Sequence, residues 1–222
     1  RQITKRFGAI DALCGLSFSL NAGEIVGLMG DNGAGKSTTV KIIAGNFPPS
    51  SGTLLMRGTP MHFRSPVDAQ RAGIEVVYQN LALCDNLSAA ANVFLGRELT
   101  TRWGFLDRAR MRREATALFA ELKSETRASG LVRKMSGGQR QAVAIARAIR
   151  SDAQLVIMDE PTAAISVRQV AEVMNLIRRL REKGVAVILI SHRMPDVFDV
   201  CDRVIVMRRG EMSLSHPDAQ GV

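Results

Sequence analysis

An apolar run, Glu24–Met29 (EIVGLM), leads without interruption into Gly30–Ser37, GDNGAGKS, and a helical pattern is predicted beyond it over Ser37–Ala44, stopping near Gly45. The pattern GxxxxGK[ST] demands a strand before it and a helix after it, and both flanks are present. Gly33 and Gly35 let the backbone curl so that several N–H groups point at one anion. The helix after Lys36 adds its positive end. In this chemistry Lys36 reaches the outer phosphates of a nucleotide and Ser37 offers its hydroxyl to Mg²⁺. Gly30, Asn32 and Thr38 complete the candidate binding loop. An ordinary glycine turn before a helix would not need Lys-Ser at its close.

Three more apolar runs share the character of Glu24–Met29: Leu155–Met158, Val185–Ile190 and Val204–Met207. They are continuous rather than alternating, which predicts strands buried on both faces in a mostly parallel sheet. Polar residues follow the run ends, where open α/β sheets place their sites. Asp159-Glu160 closes the second run and Ser191-His192 the third. An acid after four apolar residues is costly if merely buried. Facing a metal, Asp159 would hold Mg²⁺ or its water, and Glu160 would orient or deprotonate an attacking water. A capping acid pair is the plainer reading of the dipeptide alone. His192 would share that sheet edge and touch the terminal phosphate, whereas His62 and His216 have no such placement.

Between the runs lie helices. Val167–Lys183 repeats Val167, Val170, Val173, Ile177 and Leu180 at helical spacing, with Ser166 as N-cap and Gly184 as stop. Asp107 is a candidate cap for Arg108–Leu122. Gly52–Met61 and Arg203–Ser215 read as hairpins turning at their glycines. Residues 81–150 lack strand-like runs and read as a helical insertion into a single α/β domain spanning 1–222. The tail after Leu214 shows no strong pattern, and a start at Arg1 without methionine reads as a trimmed or partial chain.

The net charge is +9, which admits nucleic acid as a partner. Aromatics are only 5% of residues, too few for base-stacking platforms, and arginines such as Arg178, Arg179 and Arg181 fall on a predicted solvated helix face. No nucleic-acid partner is expected. No apolar run approaches the roughly 18 residues of a membrane helix. Cys14, Cys84 and Cys201 have no zinc or disulfide spacing and read as free thiols in a reducing compartment.

Taken in order, the motifs resemble the ABC ATPases, the nucleotide-binding subunits of ABC transporters. GDNGAGKST is similar to Walker A, VVYQN to the Q-loop, MSGGQRQ to the family signature, LVIMDEPT to Walker B and ISHR to the switch histidine. The resemblance implies a P-loop ATPase core with an N-terminal antiparallel β subdomain and an inserted helical subdomain. It implies ATP with Mg²⁺, Phe7 stacked on adenine, and Gln79 touching Mg²⁺ and the membrane subunit. It further implies that Ser136, Gly137, Gly138 and Gln139 close over the ATP of a second cassette. Lys36, Gln79, Glu160 and His192 are then catalytic, and Ser37, Gln79 and Asp159 form the metal set. Two departures stand out: Met135 replaces the usual signature leucine, and Ser166 occupies a position that usually carries aspartate.

Within the family, AGIEVVYQNLALCDNLSAAANVFLGRE, DEPTAAIS and SHRMPDVFDVCDRVIVMRRG resemble the ATP-binding subunits of bacterial monosaccharide importers. That implies sugar uptake through a separate permease, docked at Leu83–Glu98, on the cytoplasmic face of the inner membrane. It implies a second cassette, as homodimer or tandem half, and indirectly a periplasmic sugar-binding protein. A soluble ABC ATPase working on nucleic acid or ribosomes, a cassette for a non-sugar substrate, and a nucleotide-binding regulator without turnover are the competing readings. Intact Lys36, Glu160 and His192 oppose the last.

Overall fold

A computed structural model describes residues 1–150, 152–163 and 165–216, the side chains of 214–216 excepted; the part of the tail beyond 216 and the side chain of His216 lie outside it. In chain order the elements are β1 (Ile3–Phe7), β2 (Ile10–Leu16), β3 (Ile25–Gly30), α1 (Lys36–Ile43), β4 (Leu54–Met56), β5 (Thr59–Met61), α2 (Pro66–Arg71) and β6 (Ile74–Val77). There follow α3 (Ala89–Val93), α4 (Arg108–Glu121), a 3-10 turn (Val132–Lys134), α5 (Gly137–Ile149), β7 (Leu155–Asp159), α6 (Val167–Glu182), β8 (Ala186–Ile190), α7 (Met194–Val200), β9 (Arg203–Arg208) and β10 (Glu211–His216).

The main sheet has the order β10-β9-β3-β8-β7-β6. Every pairing is parallel except β10 on β9. The continuous apolar runs have the predicted cause, because both faces of the sheet are covered. Along β7, Val156 and Met158 join the core layer of α5 and α6, while Ile157 joins the layer of α1. Along β8, Val187 and Leu189 face one layer and Ile188 and Ile190 the other. The period of two therefore sends neighbours to opposite layers, each dry. Burying each such side chain contributes about 1.5–3 kcal/mol. Gly27 on β3 serves α7: a Cβ there would sit 2.7 Å from Val197 Cγ1.

Antiparallel pairs β1–β2 and β4–β5 flank this core. Both predicted hairpins form, and each turn uses an Arg-Gly pair with positive φ, 51° and 79° at Arg57-Gly58 and 50° and 81° at Arg209-Gly210. That is the two-residue geometry matched to strand twist. The α6 and α4 caps are also as predicted: Ser166 and Gln169 form a capping box, and Asp107 accepts from Arg110 N. The three cysteines are unpaired, and burial pushes the Cys201 thiol up to about 12.

One strand of the main sheet has no counterpart in either the four apolar runs or the predicted hairpins. β6 is interrupted by Glu75, which breaks the apolar signal. Glu75 is buried because Arg97 Nη1 lies 3.5 Å from one of its oxygens and Gln70 Nε2 donates to the other at 3.4 Å. A paired charge can sit where a lone one could not.

Candidate functional site

Strand register builds the site. Leu28 of β3 lies beside Ile190 of β8, Ile190 beside Asp159 of β7, and Met158 beside Val77 of β6. The parallel strands thus end together. Gly30, Tyr78-Gln79, Glu160 and Ser191-His192 leave from one edge of the sheet.

On β3 the chain turns through Gly30, Gly33 and Gly35 with φ of 143°, 84° and 104°. Gly35 must be glycine on two counts. Its φ is left-handed, and a Cβ would meet Ala12 O and Leu13 Cδ2 at 2.8 Å. Gly33, by contrast, faces open space. The α1 ladder starts with Thr39 N–H on Gly35 O at 2.9 Å, so the amides of Lys36, Ser37 and Thr38 precede it, as at any helix start. Buried Lys36 folds back, its Nζ donating to Gly30 O and to Asp31 O at 3.0 Å. Asn32, Gly33 and Ser37 are exposed, and Thr38 is half-buried.

Across from the loop, burial raises the Asp159 carboxyl above its ordinary value, while Lys36 and His192 pull it back. Burial raises Glu160 as well, opposed by His192 and Lys36 and reinforced by Asp159. Lys36, Asp159, Glu160 and His192 therefore share one electrostatic neighbourhood. Glu160 holds a left-handed φ of 51°, pinned by its N–H on Ile190 O at 2.9 Å. Such backbone strain in a non-glycine residue clusters at functional sites. Its Oε2 accepts His192 N–H at 3.4 Å. Its Oε1 is buried and accepts no hydrogen bond, although His192 Nε2 lies 3.3 Å away, off line. A buried carboxylate oxygen without a donor is suited to a water or another ligand group.

Phe7 lies at the end of the β1–β2 hairpin, 46% exposed. Its ring meets Phe47 edge-on at 5.4 Å, and Lys5 Nζ stands 5.2 Å from its centroid. Phe47 carried no sequence signal. Gln79 is exposed just past β6. Tyr78 beside it has its hydroxyl pKa raised by burial and by Asp159, which sets this turn near the acid pair.

The signature residues open elsewhere. Ser136 caps α5: its Oγ accepts Gln139 N–H at 3.3 Å and its N–H donates to Gln139 Oε1 at 3.0 Å. Gly137 lets Ile165, just before α6, approach, and Gly138 leaves room for Glu172 of α6, since added Cβ atoms would lie 2.6 Å from Ile165 Cγ2 and 2.3 Å from Glu172 Oε2. This helix start borders a polar cavity of about 570 Å³ shared with Lys123, Ser166, Gln169 and Arg168. None of Gly30–Thr38 lines it.

Supporting residues were not legible beforehand. Thr162 Oγ1 donates to buried Asp196 at 2.7 Å, joining the segments after β7 and β8. Gln141 Nε2 of α5 donates to Pro161 O at 2.7 Å. Asn92, fully buried, donates to Cys84 O and Ser88 O, both at 3.0 Å, and accepts Cys84 N–H at 2.7 Å. Only its place within an apolar run hinted at this. His62 is exposed beyond β5 and joins no site.

Comparison with known proteins agrees with this geometry. The ABC transporter family matches residues 13–163, and a P-loop domain family matches 117–216. The chain is 47% identical to the fructose import ATP-binding protein FrcA of Rhizobium meliloti, over 95% of this chain and 84% of that one. It is 45% identical to the xylose/arabinose import ATP-binding protein XylG of Sulfolobus acidocaldarius, over 96% and 84%. It is 44% identical to the ribose import ATP-binding protein RbsA 1 of Burkholderia thailandensis, of which it spans only 41%. Among solved structures it is similar to the ADP conformation of the cassette MJ1267, at 25% identity and TM-score 0.87 over 99% and 90% of the two chains. It is also similar to the dimeric post-hydrolysis cassette MJ0796 bound to ADP and Pi, at 26% identity and TM-score 0.80 over 100% and 98%. The chain belongs to the ATP-binding subunits of ABC transporters, ATPases coupled to transport.

Proposed function

We propose that this chain hydrolyses MgATP as one of two cassettes energising monosaccharide import through a separate permease. Lys36 and the Gly30–Thr38 loop bind the phosphates, with Phe7 against adenine. Glu160 is the general base, and its undonated, buried Oε1 is the observation that carries the reading. That oxygen has no hydrogen-bond donor, and burial raises its basicity. His192 contacts the terminal phosphate and holds the Glu160 carboxylate through its N–H.

The donors available for a metal are hard oxygens: the Ser37 hydroxyl, the Asp159 carboxylate and the Gln79 carbonyl. Among the described residues no group of three acidic, His or Cys side chains is arranged to hold a metal ion by itself. This sparse set fits Mg²⁺, which keeps waters and phosphate oxygens around one or two protein ligands. When bound, Mg²⁺ offsets phosphate charge; Asp159, itself raised by burial, is stabilised as a carboxylate by that neighbour.

Ser136, Gly137, Gly138 and Gln139 serve the nucleotide of a second cassette, a reading supported by the cavity at this helix start, which none of Gly30–Thr38 lines. The second cassette is another copy of this chain or a tandem half, as relatives of both lengths exist. Residues 81–150 act as the helical unit through which the permease is engaged, at Leu83–Glu98. The chain works peripherally on the cytoplasmic face of the membrane; no helix among the described residues is long and apolar enough to cross it. The sugar assignment follows the fructose, ribose and xylose/arabinose relatives. Uptake of labelled fructose, ribose and xylose, measured in cells carrying the matching permease but lacking its own cassette, tests it. Restored uptake by the wild type and not by Glu160→Gln is expected; restoration of no sugar uptake overturns the sugar reading.

A further inference from the structure

Between α3 and α4 the chain forms a small hairpin that the nucleotide site does not use. Thr100 and Leu106 form an antiparallel bridge, Thr101 N–H donates to Phe105 O at 2.8 Å, and Asp107 N–H donates to Leu99 O at 2.8 Å. Gly104 makes the turn with φ +80°. The tip presents Trp103, the only tryptophan, and Phe105, at 73% and 74% exposure. No other aromatic side chain among the described residues is as exposed. Arg102 stacks over Trp103 at 4.8 Å.

The collar of this tip is basic. α4 turns Met111, Ala115 and Phe119 inward and leaves Arg108, Arg112 and Arg113 exposed. None of Arg102, Arg108, Arg112 and Arg113 has an ion-pair partner among the described residues. The nearby acids are engaged: Asp107 caps α4, and Glu98 accepts Gly96 N–H at 3.0 Å.

We propose that the Thr100–Leu106 hairpin and the first turns of α4 rest on an anionic phospholipid surface. Indole and phenyl rings favour the headgroup level, where one part is apolar and another wet. Unpaired arginines beside them meet lipid phosphates, and each adds to attraction within a Debye length. The tip is convex. A protein partner would have to supply a matching cavity, whereas a fluid headgroup layer needs none. The inference goes beyond the transport reading and is independent of it, because vesicle binding is measured with the chain alone, without ATP or a permease.

The lone Trp103 is the reporter. Mixed with vesicles of phosphatidylglycerol and phosphatidylcholine in equal parts, the chain should show blue-shifted emission, quenched by lipids brominated near the headgroup. Pure phosphatidylcholine vesicles and high salt should abolish the shift. Arg108→Gln/Arg112→Gln should weaken vesicle binding about twenty-five-fold at low salt, at roughly fivefold per arginine. Arg57→Gln/Arg64→Gln, an equal charge loss elsewhere on the surface, should change it little. Trp103→Ala, followed by co-sedimentation, should also lose binding with ATPase activity unchanged. Unmoved emission overturns the proposal, as does equal loss in the two double variants, which would mean net charge alone. A shift that appears only with protein concentration, or only with a permease, overturns it in favour of a second copy or a protein partner.

Discussion

Glu160→Gln separates what the carboxylate contributes to chemistry from what it costs the fold. Glutamine keeps the shape and the oxygen that accepts His192 N–H at 3.4 Å, and removes the charge. Burial holds the Glu160 carboxyl above its ordinary 4.5. A carboxyl whose folded pKa exceeds its unfolded one binds more protons when folded. Stability therefore falls as pH rises from about 4.5 through the raised value, and the loss is complete above it. At neutral pH the ionised side chain is a liability that glutamine removes. The nucleotide-free variant should melt at a higher temperature than wild type, with a shallower decline across that window. Asp159 retains its own decline, since burial raises it in the same direction. Turnover should fall about 10²–10⁴-fold, the usual contribution of a general base, or roughly 3–5 kcal/mol in barrier. ATP affinity should hold, because the contacts of Lys36 are untouched. The assays are phosphate release, nucleotide titration, size exclusion with ATP to capture an accumulated dimer, and thermal melts across pH. Wild-type turnover would remove Glu160 from the base role. A lower melting temperature at neutral pH would refute the electrostatic account of its burial.

Lys36→Ala should cost at least one charge-assisted contact to phosphate, about 1.5–3 kcal/mol, so ATP titration should show roughly tenfold to 150-fold weaker binding; unchanged affinity would sink the site assignment. Ser136→Arg loses the Ser136–Gln139 capping box and fills the start of α5. It should spare nucleotide binding while blocking hydrolysis, and normal hydrolysis would exclude the signature from any active site. Asn92→Ala leaves Cys84 N–H without its acceptor at a half-buried turn, whereas the Cys84 and Ser88 carbonyls keep the backbone N–H groups of residues 87 and 92. With about 1–3 kcal/mol for the one group left unsatisfied, chemical denaturation should show a loss of about that size; a neutral result would mean that water replaces the amide.

The sheet was readable because its strands are dry on both faces, and continuous runs have few other homes. The glycine loop was readable because backbone curvature and phosphate chemistry leave few residue choices at Gly33, Gly35, Lys36 and Ser37. β6 was not, since Glu75 is neutralised by Arg97, a residue twenty-two positions away that no local pattern reveals. Phe47 meets Phe7 only because β1 passes the segment after α1, where Thr4 N–H donates to Ser51 O and Thr4 O accepts Ser50 N–H. Pairings made by tertiary approach leave no periodicity to read. Ser166 is an instructive middle case. Its departure from the usual aspartate is compatible with helix capping, because serine accepts Gln169 N–H as an aspartate at an N-cap would.

α5 ties these parts together. Its N-terminus carries Ser136, Gly137 and Gly138, and its buried face from Ala142 to Ala148 packs on the core. Two arginines on it, seven positions and hence about two turns apart, reach the segment that follows Gln79. Arg140 pairs with Asp85 at 2.6 Å, and Arg147 donates to Leu81 O at 3.0 Å and Ala82 O at 3.3 Å. Asn92 secures the same segment at Cys84 from α3. At its other flank, Gln141 holds Pro161, one residue past Glu160. A displacement of residues 81–85 would thus have to break charge-assisted bonds or carry α5 with it. Since a helix is stiff along its axis, the second course moves the signature and tugs the Glu160 turn together. The segment past Gln79, the start of α5 and the turn at Glu160 are in this way tied through one helix, though the chain scatters them over more than eighty residues.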